Sequence, residues 1–209
     1  MDPVLHSAAA EAFDELADAY DADGAHAALA ERLVRLAAGL RDCDPPAMTL
    51  DVGTGTGAAA RAALEIFPTT AVVAVDISAA MIARARSLTG AVGVRDRISW
   101  ACAPAVPFPA PDGSADLLLC ASTLHFLGTP AFADWHRVLR AGGLAAFTLP
   151  WRDRFRPGPA FAALLPNTDQ RIELPGSPAE AARSSWPGFD TITVEVDDRA
   201  ALFVIRRRA

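Results

Sequence analysis

Two acids and three glycines in the first half of the chain have the types and spacing to hold a nucleotide-like ligand. Residues 50–60 read LDVGTGTGAAA, where an apolar run (Met48, Leu50, Val52) meets Gly53, Gly55 and Gly57 and then an alanine-rich stretch, Ala58 to Phe67. The pattern predicts a strand, a tight turn and a helix. In that geometry glycines let the backbone approach a ligand closely, and the helix N-terminus offers free N–H groups. Roughly twenty residues on, a second apolar run, Ala71 to Val75, ends in Asp76, placed to accept hydrogen bonds from both hydroxyls of a ribose. His125 follows a later apolar run, Ala115 to Cys120, by a few residues and has the chemistry of a general base. Trp151, Arg152, Arg154 and Arg156 leave the next run at the same predicted edge. Arginines there can pair bidentately with a carboxylate, and their alternation with Asp153 equally fits a solvated charged loop.

Two cofactor classes compete for the glycine turn. Gly53, Gly55 and Ala58 fit the G-x-G-x-x-G/A dinucleotide spacing, which keeps a nicotinamide or flavin enzyme open. Asp51 argues against it, because a carboxylate before the turn is a poor neighbour for a pyrophosphate and a good one for ammonium and sulfonium groups. Asp51-x-Gly53-x-Gly55-x-Gly57 followed by Asp76 resembles motifs I and II of the class I S-adenosylmethionine-dependent methyltransferases, in the small-molecule branch that includes the ubiquinone and menaquinone methyltransferases. FDELADAYD ahead of the core, the phrase from Pro107-Phe108 to Leu119, and Gly142-Gly143 add to the likeness.

The resemblance implies S-adenosylmethionine as cofactor, S-adenosylhomocysteine as product, and no metal. It implies cofactor contacts from Asp51, Gly53, Thr54, Gly55 and Gly57, with Asp76 on the ribose. It lays Ile77 and Met81 against adenine and ribose, brings Tyr20 near the methionine end, and adds Cys102, Ala103 and Cys120. Cys102 is a departure: it stands where such proteins usually carry the aspartate that accepts from the adenine amino group. A thiol is a weak hydrogen-bonding group, so adenine recognition must rest on backbone groups or Ala103, or be weaker. His125 becomes the candidate base, with Trp151 and Arg152 on the substrate side. The implied reaction is O- or N-directed methyl transfer to a small molecule of secondary metabolism, a carboxylate-bearing metabolite among the options. Alternatives are a member of this fold catalysing a cyclisation or decarboxylation, and a non-enzymatic cofactor-binding protein. Cys120-Ala121-Ser122-Thr123 stands where methyltransferases of amides or bases carry an Asn/Asp-Pro-Pro-Tyr-like motif, which argues against protein or nucleic-acid substrates.

The elements that must position these residues follow from periodicity. Phe13, Leu16, Ala17 and Tyr20 lie on one face of a helix over 8–20, and Leu29, Leu33, Leu36 and Leu40 on one face of a helix over 26–40. Pro45-Pro46 separates this helical lid (1–45) from a cofactor-binding core (46–150), and a substrate-side loop with a closing hairpin follows (151–209). Ser78 is a predicted cap for a helix over 79–88, and Gly142-Gly143 are predicted to end one helix and start a strand over 144–149. The expected fold is α/β: a Rossmann-like, seven-stranded, mostly parallel sheet with a C-terminal antiparallel hairpin, all in one domain.

Bulk properties narrow the partners. With 209 residues and a net charge of −6, a broad nucleic-acid surface is unexpected. No apolar run approaches the roughly 20 residues of a membrane span, and the acidic N-terminus lacks signal-peptide character, so a cytoplasmic monomer or homodimer is expected. Cys43, Cys102 and Cys120 have no metal-like spacing. All 19 basic residues are arginine, which reflects compositional bias before chemistry.

Overall fold

The computed structural model describes residues 3–40, 45–90 and 96–209; Cys43 lies outside them. Seven strands form one sheet: β1 (Met48–Val52), β2 (Ala71–Asp76), β3 (Ile98–Cys102), β4 (Ala115–Cys120), β5 (Leu139–Pro150), β6 (Phe189–Val196) and β7 (Ala200–Arg207). They lie in the order β3-β2-β1-β4-β5-β7-β6, parallel from β3 to β5, with β7 antiparallel to both β5 and β6. The chain reverses its direction of strand addition between β1 and β4. The carboxyl ends of those two strands therefore splay their following loops apart and leave a crevice.

Small and branched residues make the sheet's two faces separately apolar. On one face, α2 (Ala25–Gly39) and α3 (Ala58–Ile66) pack Leu29, Leu33, Ala59 and Ala63 against Leu117, Leu119 and Val204. On the other, Phe132 and Trp135 of α6 (Pro130–Val138) meet Phe147, Phe203 and Trp186. Phe147 and Phe203 stack at 5.0 Å and 12° across the β5–β7 pair. Each such buried side chain contributes about 1.5–3 kcal/mol.

Three local differences from the sequence reading have physical causes. The helices of the first 45 residues divide in role: the Leu29–Leu33 stripe of α2 is buried, so α2 covers the sheet, and only α1 (Pro3–Leu16) packs beside the carboxyl edge, against α4 (Ala79–Leu88) and α7 (Pro159–Ala162). α1 also ends at Leu16, before Tyr20, where the run Asp-Ala-Tyr-Asp-Ala-Asp-Gly favours turns over a helix interior. β5 begins at Leu139, directly after α6, and Gly142 (φ +74°) and Gly143 sit inside it, beside a register shift opposite Ala115 and Leu117. These glycines thus form an irregularity within the strand. Ser78 does cap α4, its Oγ accepting from the Met81 amide at 3.0 Å.

The proline-rich loop between β3 and β4 has no helix or ladder of its own, and a clamp from α6 fixes it. Buried Asp134 accepts from the Phe108 amide at 2.6 Å and from Arg137. Arg137 donates in turn to the carbonyls of Phe108 and Ala110 and to Asp112. Removing Asp134 leaves the buried Phe108 amide without its acceptor and takes one of several from Arg137. Asp134→Ala should therefore lower the free energy of urea unfolding by about 1–3 kcal/mol, and Asp134→Asn by less.

Candidate functional site

The turn after β1 is built from positive backbone angles: φ is +64° at Gly53, +54° at Gly55 and +82° at Gly57. Two of these positions also exclude a side chain sterically. A Cβ on Gly53 would lie 2.4 Å from Thr123, and one on Gly57 would lie 2.5 Å from the Trp100 ring. Gly55 differs, since its nearest neighbour is the Tyr20 ring at 3.7 Å. Asp51 is 1% exposed, and its Oδ2 accepts from the Thr54 hydroxyl (2.5 Å) and from the Ala60 amide of α3 (3.0 Å). Burial pushes its carboxyl up to about 6, against the pull of those two bonds. Asp76, also buried, accepts from the Gly55 amide (2.7 Å) and the Ser78 amide (2.9 Å), and burial again raises its pKa. The second carboxylate thus bridges the glycine turn to the start of α4.

One cavity opens on this turn, and a second adjoins the first through shared residues. One is a narrow cleft of about 80 Å³, with Gly53, Gly55, Asp76, Ile77 and Met81 on its floor and Phe13 of α1 across it. The other is roomier, about 440 Å³, and runs from Tyr20 and His125 out to Arg154 and Arg199. Phe13, Tyr20, Ser122 and Phe126 line both, so they form the partition between the cavities. Tyr20 stacks on His26 at 4.5 Å, and burial first, then the charge of Asp76, raises its phenol well above the usual range. Ser122 is, among the described residues, the one non-glycine residue with positive φ (+59°), and its amide donates to Thr148 Oγ1 at 2.8 Å. An L-residue held there is strained, a condition that collects at functional sites.

The other residues singled out from the sequence are placed as follows. Cys102 is exposed opposite Asp76 in the β2–β3 register, its Sγ 3.4 Å from the Ile77 carbonyl, and does not line the cleft. The Ala103 amide already donates to the Asp76 carbonyl at 2.9 Å, so it is not free for a ligand. Cys120 is wholly buried in the core, where burial raises its thiol. Thr54 is buried beneath the turn as the donor to Asp51. Trp151 is turned inward, its Nε1 donating to the Asp197 carbonyl at 2.8 Å. Arg152 pairs with Glu180 at 2.5 Å beside a different surface groove. Neither lines the two cavities. Phe126, Phe155, Phe161 and Arg199 do line the larger one and were not singled out; in sequence they read as scattered aromatics and a hairpin arginine. Among the described residues no cluster of His, Cys, Asp or Glu could hold a metal ion, and no helix is long and apolar enough to cross a membrane.

His125 lies between the rings of Phe126 (4.3 Å) and Phe155 (4.8 Å), and its buried Nδ1 has no hydrogen-bond partner among the described residues. Burial lowers its pKa to about 4, so it is neutral at pH 7 and lacks the carboxylate that orients many catalytic histidines. Two opposed titrations follow. Asp51 holds its proton more tightly folded than unfolded, so its contribution to stability falls as pH rises from about 4 to 6. His125 holds its proton less tightly folded, so its contribution rises over about pH 4 to 6.5. Each is worth on the order of 3 kcal/mol. Urea unfolding across this range should show Asp51→Asn gaining stability with pH relative to the unsubstituted protein, and His125→Gln losing it.

Residues 50–147 match the family described as "Methyltransferase domain". Among curated proteins, a malonyl-[acyl-carrier protein] O-methyltransferase of Geobacter sulfurreducens is 41% identical over 50% of this chain and 39% of its own length. A dimethylglycine N-methyltransferase of Parasynechococcus marenigrum is 30% identical over 88% of this chain and 65% of its own. The chain thus spans about two fifths of the first relative and just under two thirds of the second. Among solved structures, a chain from the complex of the Haloferax volcanii Trm112 methyltransferase activator with a methyltransferase superposes with a TM-score of 0.67. That match is 16% identical and covers 94% of this chain and 98% of the other, which establishes the fold alone. The family match covers just under half of the chain, over the stretch that carries the glycine turn and both acids.

Proposed function

We propose that the chain transfers the methyl group of S-adenosylmethionine to a heteroatom of a small acceptor. The observation that carries this reading is Asp76: a buried carboxylate at the carboxyl end of β2, bridged to the glycine turn and lining the narrow cleft. Each of its oxygens keeps a further lone pair with which to accept a ribose hydroxyl, and Ile77 and Met81 line the cleft beside it. Asp51 acts from beneath, fixing the turn through Thr54 and Ala60.

In the reaction, a lone pair of the acceptor oxygen or nitrogen forms a bond to the methyl carbon as the carbon–sulfur bond breaks. The bonding pair remains on sulfur, and the acceptor's proton passes to solvent or to neutral His125. The donor is already activated, so holding nucleophile, carbon and sulfur in line supplies most of the effect, about 7–11 kcal/mol. Tyr20 and Ser122 stand at the partition the methyl group must cross. With a pKa of about 4, His125 is a weak base, and its role is to present a neutral ring to the acceptor. The names of the two relatives, one an O- and one an N-methyltransferase, support heteroatom transfer.

Small-molecule sites typically hold about 300–1,000 Å³, so the cleft must widen to admit the cofactor. The segment across the cleft is α1, held to the N-terminus of α4 by Asp14, which accepts from the Ser78 hydroxyl and the Ala80 amide.

Calorimetric titration should give saturable binding of S-adenosylmethionine and S-adenosylhomocysteine, none of NAD, and at least a tenfold loss in Asp76→Asn. A labelled methyl group should then appear in an acceptor product. Binding of neither ligand would overturn the assignment. Binding with turnover of an acceptor that gains no label would favour a non-methylating member of the fold.

A further inference from the structure

The larger cavity has a chemical polarity that names its occupant. Four phenylalanines from four separate elements converge on it: Phe13 from α1, Phe126 from α5 (Leu124–Leu127), Phe155 from the loop after β5, and Phe161 from α7. Phe13 lies edge-on to Phe126 at 5.8 Å and to Phe161 at 5.2 Å, and Phe126 lies 6.4 Å from Phe155. Such a wall offers ring faces and edges to a planar apolar body, and none of the four rings carries a polar group.

Tyr20 and Ser122 line both this cavity and the cofactor cleft. Two exposed cations, Arg154 and Arg199, line this cavity and not the cleft. Arg154 donates to the Asp198 carbonyl and, among the described residues, pairs with no carboxylate. Arg199 reaches Asp23 at only 3.7 Å, with both side chains mostly exposed. Arg154 therefore offers a cation without a carboxylate partner and Arg199 one with only an exposed partner, beside phenylalanine rings and a histidine that stays neutral.

Resting on the methyl-transfer reading, we infer that the acceptor is an amphipathic aryl acid. Its ring system lies within the phenylalanine wall, its carboxylate is held by Arg154 and Arg199, and its hydroxyl or amine is methylated beside Tyr20 and Ser122, which also line the cofactor cleft. The carboxylate is an anchor and is not the methylated group, because neither arginine lines that cleft. Small amino acids cannot fill the wall.

The test measures Kd on the protein saturated with S-adenosylhomocysteine, using para-hydroxycinnamate, its neutral amide, hydroxynaphthoate and dimethylglycine. Both aryl acids should bind, the amide should bind about tenfold more weakly than its acid, and dimethylglycine more weakly still. The double variant Arg154→Gln/Arg199→Gln should bind acid and amide alike while keeping its affinity for S-adenosylhomocysteine. Phe161→Ala should weaken acid and amide together. Equal binding of acid and amide by the unsubstituted protein would overturn the inference. So would failure of both aryl acids to bind, or dimethylglycine binding as tightly as hydroxynaphthoate. Failure of S-adenosylhomocysteine itself to bind would instead overturn the underlying methyl-transfer reading.

Discussion

A single buried carboxylate holds the architecture of the site together. Asp51 sits at the end of β1 with almost no exposure, and its Oδ2 joins the Thr54 hydroxyl within the turn to the Ala60 amide within α3. Strand, turn and helix are thereby locked in one geometry, and the turn's positive backbone angles become the only path between them. The cost is visible in the acid itself, whose proton affinity rises through desolvation even with two hydrogen bonds opposing it. Everything that faces the cleft inherits this arrangement. The Gly55 amide is aimed at Asp76, Asp76 is aimed at Ser78, and Ser78 caps the helix that carries Met81.

The lid side of the site is held more loosely than the floor. The floor is backbone, sheet and buried acid. The roof is α1, a few aromatic rings and Asp14 on the exposed start of α4. Ser122 and Tyr20 belong to the seam between them, and that seam is also the wall between the cavities.

How much of this was readable beforehand depended on whether a residue's job was local. Gly53, Gly55, Gly57 and Asp76 announce themselves because a turn and a strand end are set within a few residues of sequence. Ser78 was legible as a cap for the same reason. Arg152 and Arg154 were not separable by sequence. They are two apart on one loop, yet Arg152 folds onto Glu180 of a distant helix while Arg154 reaches the cavity. Trp151, expected on the substrate side, turns inward because its indole N–H finds the Asp197 carbonyl on the turn between β6 and β7. The four-phenylalanine wall was invisible for a stronger reason: its members come from four elements spread over residues 13–161, and only the packed chain brings them together. Even α2, whose stripe was read correctly as amphipathic, gave no sign of which surface it would cover.

The position of β7 in the sheet has a consequence during synthesis. This strand pairs with β5 from Leu144 to Pro150 and separates it from β6, and its residues Ala201 to Ile205 are completely buried. A nascent chain that has emerged only as far as Pro150 already holds the cofactor half, with the edge of β5 unpaired and the aromatic face around Phe147 uncovered. At about 5–20 residues per second, the ribosome leaves that edge open for several seconds before the pairing strand exists. Unpaired strand edges template association between chains. The half of the sheet that carries the glycine turn is thus assembled first and covered last, and the closing hairpin is what ends the exposure of that edge.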